Sequence, residues 1–177
     1  MRKELCCLLM LLISFLGVSW KDGSCETMSD SQNIARIHEK KILLLYDDPY
    51  GSLRPLTEMI KQKMQVHAYD IQKDEVPDAK TYDVILLGDV AMQDHVSKEM
   101  KRFLGWYDLQ GKNVSAYWIS AFHQNSYEQE LKDILRHGNY LPGFGVNDDE
   151  IKELHEIDVL MNGWLTSAYA SVPKLEG

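Results

Sequence analysis

The chain has 177 residues, 45% of them apolar and 26% charged, the balance of an ordinary soluble domain. That excludes a fully disordered chain, a collagen-like repeat and a multi-span membrane protein. With 19 basic against 27 acidic residues the net charge is −8, which argues against a nucleic-acid backbone as partner.

Residues 1–19 read as a secretory signal. Arg2 and Lys3 precede an almost unbroken apolar run over 5–15, and Gly17 and Ser19 supply small residues two apart. The run is shorter than the ~20 residues a spanning helix requires. Export of the mature chain is the expectation. The N-terminus would meet a membrane only if that segment were retained or Cys25 lipidated. Cys6 and Cys7 would leave with the signal, so Cys25 would be the one remaining thiol. Neither an internal disulfide nor a cysteine metal site is then available. Residues 20–39 are polar and read as a tail or tether. The folded domain is expected over 40–166, with a C-terminal tail over 167–177.

From residue 40 onward, short apolar runs alternate with amphipathic segments. Strands are expected over 41–46, 65–70, 82–88 and 113–119, with a short fifth over 139–146 broken by Pro142 and two glycines. Helices are expected after Leu53, over 96–104, over 127–135 and from Asp148 onward. In the last of these Ile151, Leu154, Ile157, Val159, Leu160 and Trp164 are the apolar positions. Tyr117 and Trp118 are adjacent in a strand, so they face opposite layers. Asn113-Val114-Ser115 matches a glycosylation pattern, but it opens a buried strand and is expected to be unmodified.

Apolar strands alternating with helices predict an α/β fold: a doubly wound, five-stranded parallel sheet, order 2-1-3-4-5, with helices on both faces. In such sheets ligands sit beyond the carboxyl ends of the strands. The loops to inspect are therefore 47–53, 89–95 and 120–126.

Three stretches resemble the flavodoxin-like family, and the short link between strands two and three is similar to the branch that includes menaquinone-dependent protoporphyrinogen oxidase. The three stretches are the third strand ending in Gly88, the helix Lys98-Glu99-Met100-Lys101-Arg102-Phe103-Leu104, and Leu109-Gln110-Gly111-Lys112-Asn113-Val114 leading into strand four. The resemblance covers roughly residues 41–165. It implies FMN as cofactor and electron transfer as activity. Carried onto this sequence, it makes Tyr50, Gly51, Ser52, Leu53 and Arg54 the phosphate side of the site. It makes Asp89, Met92, Ser120 and Phe122 the ring side. The phosphate loop departs from the family pattern: only the glycine is kept, Pro49 lacks an N–H, and Asp48 brings a negative charge towards a dianion. Two kinds of protein are thus expected: a weak FMN-based electron carrier, or a descendant without flavin. The alternative is a non-redox binding module on the same scaffold.

Receiver domains share the strand order, and Asp47, Asp48 and Asp89 echo their acidic cluster. However, Gly143-Phe144 stands where their lysine follows the proline, and Asp89 falls one residue late. Those three carboxylates could also converge on a hard cation, or simply cap backbone N–H groups at the strand ends. No sequence feature names an electron donor, an acceptor or a protein partner.

Overall fold

The structure, a computed structural model, describes residues 40–121, 126–135, 137–147 and 154–170. The expected signal, the polar tether and residues 171–177 lie outside the described residues, as do Phe122 and Ile151; residues 167–170, expected as the start of a tail, are instead the end of a helix that buries Ala168.

Strand β1 (Ile42–Tyr46) is apolar at every position because both its faces are covered. Helix α1 (Arg54–Met64) buries Leu56, Thr57, Ile60 and Met64, a stripe of period 3.6. Its last turn carries Lys61 and Lys63, favourable at the negative end of the helix dipole. A short edge strand β2 (Ala68–Asp70) follows. A single 3₁₀ turn at Ala79–Thr81 then leads into β3 (Val84–Ala91). Helix α2 (Lys98–Leu104), β4 (Asn113–Ser120) and α3 (Ser126–Ile134) come next. Two short strands, β5 (Asn139–Tyr140) and β6 (Phe144–Asn147), precede α4 (Leu154–Ala170).

All strand pairings are parallel, in the order β2-β1-β3-β4-β5, with β6 also on β4. The expected fifth strand is thus two pieces along one edge. Pro142 separates them because it has no N–H for the ladder. Its carbonyl instead accepts from Ser115 Oγ at 2.6 Å and Trp164 Nε1 at 2.8 Å.

Alternation along the strands sends Ile42, Leu44, Val84, Leu86 and Tyr117 to a layer with α1 and α4. Leu43, Leu45, Ile85, Leu87, Ala116 and Trp118 go to a layer with α2 and α3. Tyr117 and Trp118 therefore do serve opposite layers. Each fully buried leucine contributes about 2–3 kcal/mol of transfer free energy, so the two layers are what hold the sheet.

Two expectations are corrected. In α4 the buried stripe is Ile157, Met161, Trp164, Leu165 and Ala168, while Val159 and Leu160 are 62% and 63% exposed. At 3.6 residues per turn Val159 falls on the side opposite this stripe and Leu160 at its margin, because Met161, Trp164, Leu165 and Ala168 centre the buried face beyond Ile157. Second, β3 runs past Gly88 to Ala91, so Asp89 lies within a strand rather than in a loop. The reason is β4: it is long enough to pair Asp89, Val90 and Ala91 with Trp118, Ile119 and Ser120. No helix among the described residues is long and apolar enough to cross a membrane.

Candidate functional site at the carboxyl edge of the sheet

The β1–α1, β3–α2 and β4–α3 connections all leave the carboxyl edge, as the topology requires. In the first, Asp47 is fully buried and Asp48 is 9% exposed. Pro49 is exposed and Tyr50 is 72% exposed. Gly51 takes φ +78°, a left-handed turn that glycine adopts without strain. Ser52 is half-buried, Leu53 is fully buried in the layer with α1 and α4, and Arg54 is exposed as the first residue of α1. No side chain caps that helix start, and no acid stands in its first turn. The Arg54 and Leu56 N–H groups are thus left for other acceptors, since Pro55 has none and the Thr57 N–H donates to the Leu53 carbonyl at 3.1 Å.

Asp48 lies on the α1 side of the sheet, two residues beyond Tyr46 in the alternation. Its negative charge is felt by Tyr117, whose hydroxyl is 2.9 Å from Thr57 Oγ1 in the first turn of α1. Burial pushes that hydroxyl's pKa up, the Thr57 bond opposes the rise, and Tyr46 and Asp48 add to it. Asp48 Oδ1 is buried without a hydrogen-bond partner among the described residues.

On the other face Asp47 and Asp89 share Ser97. The Ser97 N–H donates to Asp89 Oδ2 at 2.9 Å and its hydroxyl donates to Asp47 Oδ2 at 3.0 Å. Ser97 Oγ also accepts from the Met100 N–H, capping α2. Tyr127 OH donates to Asp89 Oδ2 at 3.2 Å, and Gln72 Nε2 donates to Asp47 Oδ1. Asp89 Oδ1 has no partner among the described residues. Burial pushes the Asp89 carboxyl up, the Ser97 bonds hold it back and the Asp47 charge adds to the rise, giving about 7.

The β3–α2 connection turns sharply at Gln93 and Asp94, both left-handed, with the His95 N–H donating to the Met92 carbonyl at 3.0 Å. Met92 is left 54% exposed, while Asp94 is 3% exposed. The Asp94 carboxylate accepts from Ser126 N–H at 3.2 Å, Ser126 Oγ at 2.6 Å and Ser120 Oγ at 3.4 Å. It therefore caps α3 and joins the two connections that flank the ring side.

Of the sequence-derived candidates, the fold brings Tyr50, Gly51, Ser52, Arg54, Asp89, Met92 and Ser120 to one edge. Leu53 reaches that edge only through its backbone, since its side chain packs in the core. Sequence reasoning missed Asp94, Ser97, Ser126 and Tyr127. Ser97 carried a signal, a serine just before a helical run; Asp94 carried none, because its partners are 26 and 32 residues away. Among the described residues no group of three or more His, Cys, Asp or Glu side chains is placed to hold a metal ion. Grooves of about 510 and 310 Å³ lie at the opposite, amino edge, beside Lys41 and Trp106 respectively.

No protein-family model and no curated protein matches the chain. Solved structures do. A two-electron reduced flavodoxin from Megasphaera elsdenii is 17% identical with a TM-score of 0.59, over 73% of this chain and 98% of that one. Oxidised flavodoxin 2 from Bacillus cereus is 20% identical with a TM-score of 0.53, over 73% and 97%. A flavoprotein in complex with FMN from Lactobacillus acidophilus is 18% identical with a TM-score of 0.50, over 64% and 97%. Strand order, two-sided helix packing and these likenesses agree: the chain has the flavodoxin-like fold.

Proposed function

We propose that the domain holds a flavin at the carboxyl edge of its sheet and serves as an exported, weakly loaded electron carrier. One observation carries the reading. Among the described residues, the large apolar side chains exposed at this edge, Tyr50 and Met92, stand on connections leaving neighbouring strands, β1 and β3. An aromatic face and a pliable thioether on connections from adjacent strands suit a flat heteroaromatic ring. The fold it shares with an FMN-bound flavoprotein supports the same ligand class.

Tested group by group, the ring half fits better than the phosphate half. Gly51, Ser52, Arg54 and the uncapped α1 start are suited to a polar tail. Asp48 and Pro49 are not suited to a dianion, since one adds negative charge and the other removes a donor. A bound flavin would supply the redox chemistry that side chains lack. The chain's own residues supply stacking, a helix start and exclusion of water.

The test is the visible absorbance of the purified protein together with fluorescence titration of flavin-free protein with riboflavin. Saturable quenching is expected, and its absence would overturn the reading. A second reading, a non-redox binding module, is favoured by the Asp94 bond to Ser120 and Ser126. That bond draws together two connections a ring would have to enter. Absence of flavin binding selects it. Export rests on the basic, apolar and small-residue order of residues 1–19. Mass spectrometry of protein from its native host, expected to lack that segment, tests it; an intact Met1 would overturn it.

A further inference from the structure

The β1–α1 connection carries a specificity element that the fold does not require. We infer that Asp48 makes this site select flavin lacking its phosphate, so that riboflavin is held more tightly than FMN. This rests on the flavin reading above and concerns which flavin the site takes.

Among the described residues, the start of α1 brings the free Arg54 and Leu56 N–H groups and the positive end of a helix dipole together on the phosphate side. A phosphate would be drawn there. Yet the connection leading into it carries a carboxylate, Asp48, nine-tenths buried, with Oδ1 lacking a hydrogen-bond partner among the described residues. Its charge reaches Tyr117, which is bonded to Thr57 in the first turn of α1. The connection entering the helix thus already carries an internal anion. A buried carboxylate is screened less by salt than a surface one, so its repulsion of a dianion persists at physiological ionic strength.

Two cations stand nearby. Lys73 feels Asp48, but it is paired with the buried Asp70 carboxylate. Arg54 is exposed at the helix start, where water weakens its attraction for a phosphate. Pro49 withholds one of the N–H groups a phosphate cradle would use. Riboflavin, with a neutral ribityl end, meets none of this repulsion. It can hydrogen-bond through its hydroxyls to Ser52 and the free N–H groups.

The experiment compares riboflavin and FMN on the full domain by quenching of flavin fluorescence, at low and high salt. It uses the parent, Asp48→Ser and the near-isosteric Asp48→Asn, with thermal unfolding of each to confirm folding. The parent is expected to bind riboflavin at least about fivefold more tightly than FMN. Both variants are expected to gain FMN affinity by about fivefold while riboflavin changes by less than about twofold. The parent's preference should persist at high salt, because the carboxylate is buried.

Parent protein that binds FMN as tightly as riboflavin, or more so, overturns the selectivity and leaves the flavin reading standing. Equal gains for both ligands in the variants overturn the role of charge. Binding of neither ligand by the parent overturns both the inference and the reading beneath it.

Discussion

The ring of Tyr117 in β4 fills the space that a side chain at Gly88 in β3 would need. The two residues are direct partners in the parallel ladder, and a Cβ at Gly88 would overlap the ring, 2.8 Å from Cε1. The ring in turn carries its hydroxyl to Thr57, tying α1 to the centre of the sheet.

Gly88→Ala is therefore expected to destabilise the domain by about 1–3 kcal/mol, the range of an overpacked core. Tyr117→Phe, which loses only the Thr57 bond, should cost about 1 kcal/mol. Urea unfolding measures both. Combining Gly88→Ala with Tyr117→Leu should restore part of the loss, because the smaller side chain vacates the space. Additive losses in that double variant would show that the two positions do not compete.

Asp89 makes stability depend on pH. Its ordinary value is 3.8 and burial in the fold raises it to about 7. Between those values the folded chain keeps a proton that the unfolded chain has released. The stability it contributes is complete below about pH 4, falls as pH rises to about 7 and then levels off; at most about 4 kcal/mol is involved. Asp89→Asn should be less stable than the parent at pH 5, by about 1–3 kcal/mol, because its amide N–H groups meet no acceptor where Oδ1 was unpartnered. It should lose much less than the parent between pH 5 and 8. Urea midpoints measured across that range decide the matter, and parallel curves would count against Asp89 as the titrating group.

Asp94 does two things at once: it caps α3 and holds a left-handed backbone at φ 64°. Asp94→Ala should cost about 1–2 kcal/mol for the lost cap, with about 1 kcal/mol more for alanine in that conformation. Asp94→Gly, which relieves the backbone but not the cap, should be the less damaging of the two. Thermal unfolding with calorimetry separates them, and a more stable alanine variant would contradict the assignment.

Tyr50 and Met92 are exposed, so replacing either with alanine should change stability by no more than about 0.5 kcal/mol. Riboflavin affinity should fall by about 1 kcal/mol for each, roughly fivefold, if their faces meet the ring. Fluorescence titration beside an unfolding curve reads the two quantities separately. Unchanged affinity in both variants would move the ring elsewhere on the edge.

The sheet was legible in the sequence because its cause is local. A strand covered on both faces must be apolar at every position, and 42–46, 84–87 and 114–119 are nearly so, with helical spacing between them. The same pleat geometry gave the opposite facing of Tyr117 and Trp118. It also led, through the topology rule, to the three connections at the carboxyl edge.

What the tertiary structure decided depends on partners far away in the chain. Whether β3 stops at Gly88 or continues through Asp89 is settled by the length of β4, 24 residues and more downstream. Whether Asp94 is a loop acid or a buried brace is settled by Ser120 and Ser126. Whether Val159 and Leu160 join the core is settled by which face of α4 meets the sheet and α1, where Lys63 pairs with Asp158 at 2.6 Å. Periodicity marks which side chains can be buried; only the packed neighbours determine which polar groups are buried with them and what bonds they make there.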